Sequence, residues 1–398
     1  MQTNIDLSVW ISKKFSQYYL KNFIYIDDID KREFGFGGYD KKIEYRHVAF
    51  SSTKEFNLKL QKEGPHYVSC SAAYYQFPAA RPMQKKEWLG ADLIFDLDAE
   101  EEKSFAPFIR QVKLDEIKEK VFLLMDFLED DFGIEKKDIK INFSGSRGYH
   151  LRVFDQKFKE LGRYARKELV DYIDAIGLDL SLFFSISQSP EKNQYKIYGP
   201  KINDWGYSGK IANLIYIILD DEKKARQYFG KEIQIEKFKK KYLEDLVNGD
   251  WTFLVKMHSP SKSLSYSSFQ LNLEKLIATI KQIMVNEQRL NLSQQVETDA
   301  NVTIDTSKLL RVPDTIHGGS GLIAKSVFDL ERFEPFKHAL AFSMKKPLKI
   351  KTLINIPEQE FGNQTFGPIA KNTSIELPEA FGFFLICKKT ALPIELLE

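Results

Sequence analysis

The chain has 398 residues, 43% of them hydrophobic and 29% charged, which is apolar material for one large core or two modest ones and too much for a disordered protein. A net charge of +2 excludes the strongly basic balance of a stand-alone nucleic-acid binder, so contact with a polynucleotide has to come from local clusters or from a partner. No stretch reaches the roughly 20 apolar residues of a membrane span, the N-terminus does not read as a secretory leader, and two cysteines cannot build a disulfide framework, so the chain is expected in the cytoplasm.

In chain order, Leu7, Trp10, Ile11, Phe15, Tyr18 and Tyr19 recur at three- and four-residue spacing and predict an amphipathic helix over residues 7–23. Residues 32–38 read as a strand closing in a glycine turn and residues 43–50 as its antiparallel partner, a β-hairpin. A short helix is expected over 54–64 and a strand over 67–75, with Cys70, like Cys387, as a small core residue. Pro78 and Pro82 mark the loop before a strand at 92–98. An acidic, irregular segment leads to a long helix over 115–132, with Ile117, Val121, Leu124, Phe127 and Leu128 on one stripe and Gly133 at its end. Strands at 139–143 and 149–154 follow, which makes the fold class α/β (α+β), a sheet-and-helix core with hairpins mixed in.

From 155 to 298 the texture becomes helical, with helices over 161–176, 222–229, 233–248 and 269–287 around a glycine-rich loop, Trp205-Gly-Tyr-Ser-Gly209. The chain is therefore read in three parts: a core segment 1–154, a mainly helical lobe 155–298 and a second core segment 299–398. Strand-like texture returns at 301–305 and 309–313, a glycine loop then holds His317, and an apolar helix over 378–387 docks on the core. The basic runs at 237–241 and 345–351 read as solvated faces.

Two stretches carry chemistry. Asp96 and Asp98 are two apart on a strand, so both project from one face beside the apolar run Leu93-Ile94-Phe95. Carboxylates held that close repel each other and call for a cation, for which an oxygen-liganded divalent metal is the usual answer. Some fifty residues on, Ser144-Gly-Ser-Arg147-Gly-Tyr-His150 puts a hydroxyl, two glycines, an arginine and a histidine on a tight turn. Glycine lets backbone N–H groups approach an anion and Arg147 offers a planar fork for phosphate oxygens. Metal and phosphate together point to nucleotide chemistry.

Over nearly its whole length the chain resembles the small catalytic subunit of the archaeo-eukaryotic DNA primases, most like the archaeal branch. The matching pieces stand in family order: Arg32-Glu-Phe-Gly-Phe36, Arg46-His47, Ser71-Ala-Ala-Tyr-Tyr75, Trp88 to Asp98, Ser144 to His150, Trp205-Gly206, Asp299-Ala-Asn-Val-Thr303, Leu309-Leu-Arg311-Val-Pro313 with His317-Gly318, and Glu376-Leu-Pro-Glu379. The resemblance implies a two-layer primase-polymerase core in which Asp96, Asp98 and Asp299 bind two divalent ions, Mg²⁺ or Mn²⁺. It favours Asp299 over Asp305, and Asp96 over Asp92, as ligands. It also implies that Ser144, Arg147 and His150 hold the incoming nucleotide's phosphates, that Arg46 and His317 belong to the nucleotide site, and that Glu33 lies near it.

The function implied is a DNA-dependent primase that joins nucleoside triphosphates on single-stranded DNA in replication, paired with a primase large subunit as a heterodimer, at the nucleoid and away from membranes. The alternative is a related primase-polymerase of repair or of a mobile element that extends existing primers. Two departures stand out. The cysteine- and histidine-rich zinc stalk that commonly follows the paired aspartates is missing from residues 99–114, so no zinc is expected there. Where the family usually places a lysine after the histidine-glycine pair this chain has Gly319, with Lys325 as the nearest replacement.

Overall fold

The structure, a computed structural model, describes residues 2–100, 102, 103, 105–189, 194–230, 243–257, 265–287, 297, 298 and 300–397. The strands of the first half are β1 (Phe34–Gly37), β2 (Tyr45–Val48), β3 (Tyr67–Ser71), β4 (Ala73–Tyr75), β5 (Trp88–Ala91), β6 (Leu93–Asp98), β7 (Ile139–Phe143) and β8 (Gly148–Val153). Those of the second half are β9 (Ser185–Ser189), β10 (Gln194–Tyr198), β11 (Glu297–Thr298), β12 (Leu309–Arg311), β13 (Ser326–Val327), β14 (Pro347–Thr352), β15 (Gln359–Phe361), β16 (Gln364–Phe366), β17 (Ser374–Pro378) and β18 (Ala391–Pro393). All the described ladders are antiparallel, which with the many helices makes this an α+β fold. Among the described residues no helix is long and apolar enough to cross a membrane.

Contacts divide the chain into two compact units, one of Met1–Val121, Glu135–Glu168 and Gln295–Glu398 and the other of Phe122–Ile134 and Leu169–Gln294. The first holds a four-stranded sheet, β12-β3-β1-β2, a five-stranded sheet, β11-β6-β8-β7-β13, and a three-stranded sheet, β17-β14-β18. The expected hairpin is β1 and β2. The single strand expected at 67–75 is two: β3 joins β1, whereas β4 leaves the sheet to pair with β5. A buried cluster fixes that corner, since fully buried Arg32 donates to Ser71 O, to the Tyr74 hydroxyl and, at 2.9 Å, to Asp92 Oδ2. Breaking such a buried pair by removing one partner costs roughly 3–5 kcal/mol.

The amphipathic helix runs over Gln2–Lys21 and buries Leu7, Ile11, Phe15 and Tyr19, a strict four-residue repeat. It packs on the C-terminal helix Glu379–Cys387, whose residues from Ala380 to Cys387 are all buried, with Trp10 stacked on Phe383 at 5.2 Å. Cys70 and Cys387 are both buried and free, as expected of small core residues.

In the second unit the glycine-rich loop expected at 205–209 is the start of a helix, Gly206–Asp220. Trp205 is its exposed N-cap, Gly206 takes φ +63°, and the following Ile211, Ala212, Leu214, Ile215 and Ile218 form its buried side. The lobe also contains a hairpin, β9 and β10, that helical texture hid. Helices Glu222–Phe229 and Tyr266–Glu287 lie where periodicity put them, while most of the helix expected at 233–248 falls outside the described residues.

Candidate active site

One face of β6 carries Ile94, packed in a buried cluster with Ala72, Val302 and Leu310, and then Asp96 and Asp98; the other buries Leu93, Phe95 and Leu97. Strand β8 lies alongside so that Asp96 faces His150 and Asp98 faces Gly148. A Cβ at position 148 would come within 1.9 Å of Leu97 O and 2.4 Å of Asp98 Oδ1, so only glycine lets the two strands close here.

The turn between β7 and β8 is held from inside by Ser144, whose Oγ accepts from the N–H groups of Ser146 and Gly148 at 3.3 and 3.2 Å. This differs from the sequence expectation that those N–H groups face an anion. The hydroxyl takes them, and the turn lines the cleft with Ser144, Ser146 and Arg147. Gly145 adopts φ +84°, and a Cβ on it would stand 2.6 Å from His317 Cβ. Ser320 Oγ donates to Gly145 O, so the His317 loop is stapled beneath the turn.

Arg147 reaches to 4.0 Å from Asp98 Oδ2, and His150 Nε2 lies 3.3 Å from Asp96 Oδ1. Asn142 Nδ2 lies 3.4 Å from His150 Nδ1 on the far side of the ring. Burial and the neighbouring Asp96 push Asp98 up to about 6 against the charges of His150 and Arg147. Burial also acts to raise Asp96, but the charge and hydrogen bonding of His150, helped by Lys42 and Lys308, hold it below the ordinary carboxylate value. Asp98 Oδ1 is buried and accepts no hydrogen bond from the protein, while Asp96 Oδ1, also buried, faces His150 Nε2.

These side chains open on one cleft of about 550 Å³, where Asp96, Asp98, Ser144, Arg147, His150 and His317 meet. His317 is buried edge-on against Tyr67, and its Nδ1 accepts from Gly319 N at 3.2 Å. Burial, then the charges of Arg311 and Lys388, drive its pKa well down, so it is a neutral imidazole that can donate from Nε2. Arg46 is not among the lining residues. It makes a two-pronged ion pair with buried Glu33, at 2.7 and 3.0 Å, and donates to Ser307 O. Lys325 also lies off the cleft, 3.5 Å from Asp314.

The rejected alternatives have structural work: Asp92 is consumed by Arg32 and Tyr74, and Asp305 accepts from Ser307 N and Oγ. Asp299 lies outside the described residues, and among those described no three His, Cys, Asp or Glu side chains are grouped to hold a metal ion. Its neighbours are described: Thr298 pairs with Leu97 on β6, and residues 301–305, expected as strand, form a short helix Ala300–Ile304 tied down by Thr303 Oγ1 donating to Ile94 O.

Several cleft residues come from outside the two stretches that carry the chemistry in the sequence. Arg311 lies over the Tyr67 ring at 4.8 Å, is pulled down to about 10 by burial, and has a buried Nη1 without a hydrogen-bond partner. Lys42, Lys308, Lys388 and Lys389 line the same space. The arginine at least stands inside a family motif, Leu309-Leu-Arg311-Val-Pro313; the lysines come from segments with no motif at all.

An antiparallel core with paired carboxylates facing an arginine-bearing turn has the groups that nucleotidyl transfer requires. The family described as DNA primase small subunit matches residues 95–328. The "DNA primase small subunit PriS" of Methanococcoides burtonii is 32% identical over 98% of this chain and 99% of its own, and that of Archaeoglobus fulgidus is 30% identical over 96% and 98%. The protein of the same name from Methanosarcina barkeri is 32% identical over 96% of this chain and 95% of its own. The chain belongs to the DNA primase small subunit family, whose reaction is primer synthesis by nucleotidyl transfer. These matches favour the replicative primase over a repair or mobile-element enzyme.

Proposed function

We propose that the cleft joins nucleoside triphosphates on a single-stranded DNA template, with Asp96, Asp98 and Asp299 as the acidic set and Arg147, His150, Ser144 and His317 around the incoming triphosphate. The observation that carries this reading is the meeting in one cleft of two buried carboxylate oxygens, that of Asp98 without a hydrogen bond and that of Asp96 facing His150, with Arg147 beside them. Hard carboxylate oxygens side by side suit a divalent cation such as Mg²⁺ or Mn²⁺. Such ions, when bound, supply charge neutralisation at the reacting phosphate oxygens. Asp299 would complete the set, which its position one residue after the β11 pairing with β6 supports.

The chain's own groups bind and orient. Arg147 and Arg311 offer guanidinium forks to phosphate oxygens, and neutral His317 adds a donor without adding charge. Ser144 fixes the turn that aims Arg147, and Arg46 with Glu33 braces the backbone before Lys308. With the triphosphate in line, the primer's 3′-hydroxyl oxygen bonds to the α-phosphorus as the bond to the β-phosphate breaks; pyrophosphate leaves and the hydroxyl proton passes to solvent. Residues 1–154 and 299–398 would form this core and 155–298 a separate lobe, working in the cytoplasm with a large-subunit partner.

The test is incubation with Mg²⁺ or Mn²⁺, labelled nucleotides and single-stranded DNA, alone and with the partner. Template-dependent product that is lost in Asp96→Asn and Asp98→Asn is expected. Absence of such product under every condition refutes the proposal.

A further inference from the structure

Six cationic side chains, Lys42, Arg147, Lys308, Arg311, Lys388 and Lys389, line the cleft against two acids, Asp96 and Asp98, among the described residues. A triphosphate bound with two divalent ions is close to neutral, and one further aspartate would not cancel the surplus. The cleft is therefore charged for a second anion. Lys388 and Lys389 belong to the end of the C-terminal helix, beyond residues 95–328 that the family match covers.

That helix ends in a left-handed turn. Lys389 takes φ +60°, with its N–H bonded to Ile386 O at 2.9 Å and that of Thr390 to Leu385 O at 3.0 Å. This is the left-handed position just past a helix, which glycine fills without steric cost and a lysine does not. The turn's geometry gains nothing from a lysine there, and that lysine lines the cleft. Lys389 Nζ rests 3.1 Å from Asp40 and 4.3 Å from the Tyr39 ring centroid, on the β1–β2 turn that also carries Lys42. Both partners of that pair are more than half exposed, so it is a weak contact that a phosphate can displace. The helix behind the turn is buried on every side, which fixes where the two lysines stand.

We infer that the turn Lys388–Lys389, together with Lys42, clamps the phosphodiester backbone of the nucleic-acid strand running through the cleft, Lys389 exchanging Asp40 for a phosphate. The inference rests on the primer-synthesising reading of the same cleft. Single-stranded template and primed duplex share this chemistry, and the experiment separates them.

Full-length wild type, Lys388→Gln/Lys389→Gln, Lys389→Gly and, as a control away from the cleft, Lys345→Gln are compared for binding of a labelled oligonucleotide, single-stranded or primed, over a salt series. The double variant is expected to bind roughly threefold to tenfold more weakly, with a salt slope smaller by about 0.7 for each single-strand phosphate that is no longer neutralised, while KM for the nucleotide holds. Whichever oligonucleotide drops further in affinity identifies the strand. Lys389→Gly should weaken binding without lowering Tm, which a merely structural lysine would not do. Unchanged oligonucleotide affinity, or a rise confined to nucleotide KM, overturns the inference. Should wild type bind the oligonucleotide lysine-dependently yet make no template-directed product, the clamp stands and the primer-synthesis reading falls.

Discussion

Asp96 and Asp98 show how position alone separates two chemically identical groups: both are half-buried, yet His150 opposite Asp96 holds its pKa down while Asp98, beside another carboxylate, is pushed up to about 6. The arginine facing them should matter chiefly for binding. Arg147→Ala is expected to raise nucleotide KM by about 10- to 100-fold, the worth of a charge-assisted hydrogen bond, with steady-state kinetics as the check. A second buried carboxyl lies outside the chemistry. Burial, then Asp171, pushes Asp174 up to about 6, so the folded chain holds its proton where the unfolded chain, near 3.8, has lost it. Stability on this account falls as pH rises from about 4 to 6. Asp174→Asn removes the loss, and above pH 6 should be the more stable by roughly 1–3 kcal/mol in denaturant melts, an advantage that disappears below pH 4. At this scale the sequence was legible where a motif is local: Asp96 with Asp98, and Ser144 to His150. Lys42, Lys388 and Lys389 were not, because what makes them site residues is convergence across some 350 residues of chain.

Among elements, the β6–β8 pair decides whether the site forms. Gly148→Ala puts a methyl group against Leu97 O and should cost roughly 1–3 kcal/mol in stability, with a larger loss of activity because Asp98 shifts with its strand. Gly177→Ala is the contrast: it sits at positive φ, +78°, but nothing lies within 4 Å, so about 1 kcal/mol of backbone strain and no loss of turnover are expected. Long periodic helices and alternating hairpins were readable from spacing. Residues 301–305 were not, since Val302, Thr303 and Ile304 have strand preference, and a tertiary bond from Thr303 to β6 overrides it. Gly206 and Gly209 suggested a loop at 205–209 for a similar reason. Gly206 supplies a left-handed entry to a helix, and at Gly209 a Cβ would meet Asp204 O at 2.0 Å.

The whole first unit depends on a junction between sequence-distant helices. Phe383 is fully buried against Trp10, Phe15 and Phe342, so Phe383→Ala should cost about 3–5 kcal/mol and lower Tm by roughly 10 °C. Oligonucleotide affinity should weaken as well, because the helix carrying Phe383 also positions Lys388 and Lys389; calorimetry and anisotropy read the two effects separately. The same helix ends in Cys387, whose thiol burial drives far above its ordinary range, and Cys70 is sealed inside β3. Neither sulfur is open to a maleimide at neutral pH. A single cysteine engineered on the surface would thus be the one place a dye or spin label attaches, and distances across the opening could be followed during synthesis without first stripping out the native thiols.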